Sequence, residues 1–120
     1  VKPSSAKAKG RRMQQWVCSQ ILKRFPTLEL DDVQSRSMGA SGEDVMLSPA
    51  ARRLLPVSIE AKNQESLSIW KSMRQAEENA GAYTPVLFFK RNRSREYACL
   101  PAQDLLDLYA ELHQHHLETS

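Results

Sequence analysis

Val57-Ser58-Ile59-Glu60-Ala61-Lys62 alternates apolar and polar side chains, the period of a strand with one buried face. The residues after it fix its setting. From 66 to 80, Leu67, Ile69, Trp70, Met73, Ala76 and Ala80 recur at helical spacing and predict the inner side of a helix. Ser68, Lys71, Gln75 and Asn79 fall together on another side, and Gly81 is a C-terminal stop. Thr84 to Lys90 then carries a continuous apolar run, which is how a buried central strand reads.

Working outward, Gly10 to about Phe25 shows Met13, Trp16, Val17, Ile21, Leu22 and Phe25 at three- and four-residue steps, one stripe of an amphipathic helix ended by Pro26. Residues 1–9 lack periodicity and are expected to form a mobile basic arm. Val33 to Arg36 has the makings of a short strand, and Met38 to Gly42 is a turn rich in glycine. Glu43 to Leu47 starts the next strand. Ser48 to Leu55 is a short helix, with Ser48 as cap and Pro49 in the first turn. Downstream, Asn92-Arg93-Ser94 turns the chain and Glu96 to Leu100 returns as a strand. Pro101 opens a last helix running to about His116, whose leucines and Tyr109 spread over more than half its circumference. Trp16 and Trp70 sit on apolar stripes and are expected in the core. The result is an α/β layer domain over residues 10–117, a mixed sheet flanked by helices in the core order α-β-β-β-α-β-β-α. The short helix at 48–55 stands as an insertion before the third strand.

With 120 residues the chain fits one domain, and 41% apolar with 26% charged residues is a globular rather than a disordered balance. The net charge of +3 says little by itself; its placement says more. Lys2, Lys7, Lys9, Arg11 and Arg12 crowd the N-terminus, and Lys90, Arg91, Arg93 and Arg95 form a second cluster. Such clusters neutralise phosphates and release counterions, the main source of sequence-independent DNA affinity. Cys18 and Cys99 lack a zinc-type spacing partner and read as reduced thiols in or near the core. No apolar run reaches membrane-spanning length, so the expectation is a protein of the cytoplasm with no membrane partner.

The chemistry concentrates at Asp44, Glu60 and Lys62. Glu60 and Lys62 are two apart on one strand and share a face; Asp44 opens a strand just past a glycine turn. If the two strands are neighbours, the three groups converge. Two carboxylates hold a hard divalent cation through oxygen, and such a cation activates water against a phosphodiester. The Ala61 carbonyl is a further ligand candidate, and a lysine beside the water orients it or stabilises charge on the phosphate.

Gly42-Glu43-Asp44 followed by Ile59-Glu60-Ala61-Lys62 resembles the signature of the PD-(D/E)XK nuclease superfamily. Within it, Lys9-Gly10-Arg11-Arg12 and the chain length are similar to archaeal-type Holliday-junction resolvases and their phage-encoded relatives. The resemblance covers roughly residues 9 to 100 and implies a restriction-endonuclease-like core. It also implies metal ligation by Asp44 and Glu60, a catalytic Lys62, Mg2+ or Mn2+ as cofactor, and a homodimer that cuts branched DNA. For a phage protein the compartment would be the host-cell cytoplasm. Two departures stand out. Glu43 occupies the place of the superfamily's proline, and Met13-Gln14-Gln15-Trp16 offers no acid where resolvases carry a glutamate on the first helix. Gln15 could bind a metal-held water, Glu43 could substitute, or the site manages with fewer charges.

Secondary candidates follow from position. Gln75 is a further catalytic candidate on the polar side of the central helix. Ser41, in the serine-bearing glycine loop, Asn63 and Gln64 beyond the strand, and Lys9, Arg11, Arg12, Lys90, Arg91 and Arg93 are DNA-contact candidates. The apolar remainder of the last helix is a candidate dimer surface. The expected activity is metal-dependent cleavage of branched or structured DNA. The alternatives are a nuclease that nicks or processes duplex DNA, a non-catalytic DNA-binding module, and a domain that binds protein through its last helix.

Overall fold

The computed structural model describes residues 3–36 and 42–120. Its elements are α1 (Pro3–Arg24), a single 3-10 turn (Leu30–Asp32), β1 (Val33–Ser35), β2 (Val45–Leu47), α2 (Pro49–Leu54), β3 (Val57–Asn63), α3 (Ile69–Ala80), β4 (Thr84–Lys90), β5 (Tyr97–Cys99) and α4 (Ala102–Thr119). The five strands form one mixed sheet in the order β1-β2-β3-β4-β5. β1, β2 and β3 run antiparallel in turn, β3 and β4 are parallel, and β5 is antiparallel to β4. The parallel pair needs a crossover, and α3 supplies it. The α/β class holds, and α2 interrupts the succession of strands between β2 and β3.

The alternation of β3 sorts the layers. Ile59 and Ala61 point into the main core with Met13, Val17, Cys18 and Ile21 of α1 and Val45 and Leu47 of β2. Ser58 and Glu60 point the other way, under α3, and both are buried. Burial pushes the Cys18 thiol up to about 11, so it behaves as a small apolar side chain. Ser48 caps α2 by accepting from the Ala51 amide at 3.1 Å and donates to Asp32 at 2.6 Å, which ties α2 to the turn before β1.

Three sequence expectations are corrected. First, α1 starts at Pro3, seven residues before the predicted start at Gly10. The segment 3–9 shows no apolar period, yet its alanines and lysines are strong helix formers and simply extend the helix. Second, Trp70 is 80% exposed instead of lying in the core. α3 is rotated so that Ser72, Ala76 and Ala80 face the sheet. Small residues let the helix approach closely over Ser58 and Glu60, and a tryptophan would hold it off. Third, α4 lies on no sheet face: every large apolar side chain on it is exposed.

Candidate active site

Asp44 is fixed by its backbone before its side chain does anything. Its N–H donates to the Ile59 carbonyl at 2.8 Å, and its carbonyl accepts from the Arg36 N–H at 2.8 Å. The residue is therefore pinned between β1 and β3. Gly42, two residues earlier, has φ +98°, a conformation that favours glycine. Past the Val45–Ile59 rung, β2 no longer pairs with β3. The Asp44 carboxylate takes the vacated place, accepting from the Ala61 N–H at 2.8 Å through Oδ2. Amide and carbonyl of one strand residue point to the same edge, so the Ala61 carbonyl faces the Asp44 side of the strand.

Glu60 is 1% exposed. Its Oε1 accepts from Asn79 Nδ2 at 2.8 Å, while its Oε2 is buried and has no hydrogen-bond partner among the described residues. Burial pushes its carboxyl from 4.5 up to about 7; Asn79 opposes the rise, Asp44 beside it adds to it, and Lys62 works against it. The β2–β3 pairing expected from sequence is present, and it brings Asp44, Glu60, Ala61 and Lys62 to one place. A buried carboxylate with one spare oxygen next to a second carboxylate is a donor set suited to a divalent cation. The protein supplies two carboxylates and a main-chain oxygen. Among the described residues no group of three His, Cys, Asp or Glu side chains is arranged to hold a metal. Water would complete the shell, as magnesium commonly requires.

Neither candidate for the missing first-helix acid fills that role. Gln15 is exposed and lies beside Cys18, Ser19 and Gln34, towards β1. The buried glutamine of α1 is its neighbour Gln14, one position round on the core-facing stripe with Val17 and Cys18. Glu43 is already engaged: one carboxylate oxygen pairs with Arg52, and the other accepts from Ser58 Oγ at 3.0 Å. Arg52 also donates to the Val57 carbonyl at 2.9 Å and stacks over Tyr83, its guanidinium carbon 4.3 Å from the ring centre. This clasp joins α2 to the segment that carries Asp44. Replacing Arg52 by Ala strands a half-buried Glu43 carboxylate and is expected to cost about 1–3 kcal/mol, read as a lower urea midpoint with an unchanged slope.

Gln75 is exposed; Asn79, one turn later, touches Glu60. The signal was present in the sequence, because Asn79 lies three residues from Ala76 and seven from Ser72 on the small-residue face. Asn63, at the end of β3, has a buried Oδ1 with no hydrogen-bond partner among the described residues. Gln64 is exposed, and its N–H donates to the Lys90 carbonyl at 3.1 Å. The β4–β5 turn therefore sits at the same end of the sheet as the site. Arg91 and Arg93 are exposed there around a cleft with Glu65, whose carboxylate accepts from the Asn92 N–H at 2.6 Å. Lys90 is less available than predicted, since it lies 3.8 Å from Glu96. Phe25, just past the end of α1, shares a groove with Leu55, close to the start of β3. α1 thus runs back towards the site end, carrying the exposed Arg11 and Arg12 and the partly exposed Lys9. Ser41 lies outside the described residues. Comparison of the chain with family models, curated proteins and solved structures returned no match. Among the described residues no helix is long and apolar enough to cross a membrane.

Proposed function

We propose that this chain is a divalent-metal-dependent endonuclease of the restriction-endonuclease-like fold, acting on DNA and within that class on branched or structured DNA. The observation that carries the reading is the juxtaposition of Asp44, bonded to the Ala61 amide, with a buried Glu60 that keeps one oxygen unpartnered. Asp44, Glu60 and the Ala61 carbonyl would hold Mg2+ or Mn2+. When bound, such an ion polarises the scissile phosphate and lowers the pKa of water. Lys62 leaves the same strand face as Glu60 and presents its ammonium where negative charge develops on the phosphate. Asn79 fixes the Glu60 carboxylate through Oε1 and leaves Oε2 free for the site. Arg91 and Arg93 on one side and Arg11 and Arg12 on the other supply phosphate contacts. Trp70, exposed in the first turn of α3, offers a face for base stacking.

Purified protein is expected to cut DNA in Mg2+ or Mn2+ and to be silent in chelator, with four-way junctions and flaps cut in preference to linear duplex. Equal cutting of all substrates would keep the nuclease and remove the junction preference. The two-carboxylate count favours a second reading, a DNA-binding module without catalysis. Salt-sensitive DNA binding with no cutting in either metal would establish that reading and end the first.

A further inference from the structure

α4 presents an unusual surface for a helix attached to a folded domain. None of its residues is buried, and Leu105, Leu106, Leu108, Tyr109, Leu112 and Leu117 are 42–67% exposed. Leu105, Leu108, Tyr109 and Leu112 follow the i, i+3, i+4, i+7 spacing of one stripe. The rest of the helix is acidic: Asp104, Asp107, Glu111 and Glu118 are present, with no lysine or arginine. Elsewhere on the same chain a groove stands open. α1 packs on β1, β2 and β3, and beside it Phe88 of β4 is only partly buried. There Trp16, Ile21, Phe25, Leu55 and Phe88 line an apolar cleft of about 420 Å³. Arg24 and Arg95 flank this cleft, and neither has an ion pair among the described residues.

We infer that α4 docks into this groove on a second copy of the chain, by reciprocal exchange about a two-fold axis. Three features single out a second copy as the occupant. The charges are complementary, with an acidic helix meeting a groove rimmed by Arg24 and Arg95, whose one acidic lining residue, Glu96, lies 3.8 Å from Lys90. The lengths agree: Trp16 to Arg24 spans about 12 Å along α1, and Leu105 to Leu112 about 10 Å. The connection also permits it, because α4 leaves β5 through only Leu100 and Pro101, and Arg95 and Glu96 at the groove lead into that same edge strand. One symmetric assembly thus covers both unpartnered features. Two 18-residue helices docked in this way bring the eight apolar side chains of the two stripes under cover, together with the groove residues they meet, on the scale of the roughly 1,200–2,000 Å² of a stable interface. The inference does not rest on the nuclease reading and is tested without metal or DNA.

Sedimentation velocity of the full chain, up to about 100 µM, is expected to show a dimer. Because Leu108 and Leu112 are exposed on a helix with no buried residue, the double variant Leu108→Asp, Leu112→Asp is expected to leave the domain fold intact by circular dichroism and to weaken the dimer by more than about a hundredfold. The groove variant Arg24→Glu, Arg95→Glu is expected to weaken it by about tenfold, which a pairing of α4 with α4 would not produce. A monomer throughout the range, a dimer indifferent to the helix variant, or a dimer indifferent to the groove variant each overturns the inference.

Discussion

Replacing Lys62 by Ala, or Glu60 by Gln, is expected to lower metal-dependent DNA cleavage by about a thousandfold or more, while DNA affinity in chelator changes only about two- to threefold. The two halves of this result have different physical sources. Affinity comes from many phosphate contacts spread over Arg11, Arg12, Arg91 and Arg93, so the loss of one charge matters little. Rate depends on preorganised charge where the transition state develops it, and one such group is commonly worth a factor of a hundred to a thousand. Among the described residues the cation acting on Glu60 is Lys62, so no neighbour stands ready to replace it. Single-turnover rates at saturating enzyme measure the first half and fluorescence anisotropy the second. A Lys62→Ala protein that cuts within tenfold of the parent places the chemistry elsewhere. A variant that loses binding and cutting together makes Lys62 a phosphate contact rather than a catalytic residue.

Much of this arrangement was legible in the residues, and the reasons differ from place to place. The alternation over 57–62 set the face of every β3 side chain, because a strand's period of two admits one solution once Ile59 is buried. The apolar run of β4 announced an interior strand, and β4 lies between β3 and the edge strand β5. α3 misled because the expectation turned the helix to bury its largest apolar residue, whereas close packing over a polar strand face selected Ser72, Ala76 and Ala80. That rotation removed Trp70 from the core and brought Asn79 to Glu60. The clasp of Arg52 with Glu43 was not legible: it joins residues on two elements whose relative placement follows from tertiary packing and has no local signature. α4 shows the reverse case. Its apolar breadth was plain in the sequence, but breadth alone does not say whether the covering surface belongs to the same chain.

Glu60→Gln is also expected to stabilise the metal-free protein at pH 8 and to remove its response to metal. The sign follows from linkage. Glu60 has its pKa raised from 4.5 to about 7 in the folded chain, so between these values the unfolded chain ionises first. The contribution of the neutral carboxyl is therefore complete below about pH 4.5 and is lost as pH rises through 7. With solvent screening at the open side of the site allowed for, the loss is on the order of 1–2 kcal/mol. Glutamine has the same shape and never ionises. Its amide oxygen can still accept from Asn79, and its NH2 can face the Asp44 carboxylate that repels a charged Glu60. The difference in stability between variant and parent should thus be small near pH 5 and grow in favour of the variant by pH 8. Taking the difference cancels the titrating groups that do not interact with Glu60. Mg2+ or Mn2+ should reverse the order at pH 8, because a ligand held only by the folded state adds about 2.7 kcal/mol at a hundredfold excess over its dissociation constant. The variant, short of one anionic ligand, should gain little. Thermal melts at pH 5 and 8, with metal and with chelator, read all of these terms without any DNA. A parent protein that melts no higher with metal at pH 8 would leave Glu60 a buried structural acid and remove the metal from the site.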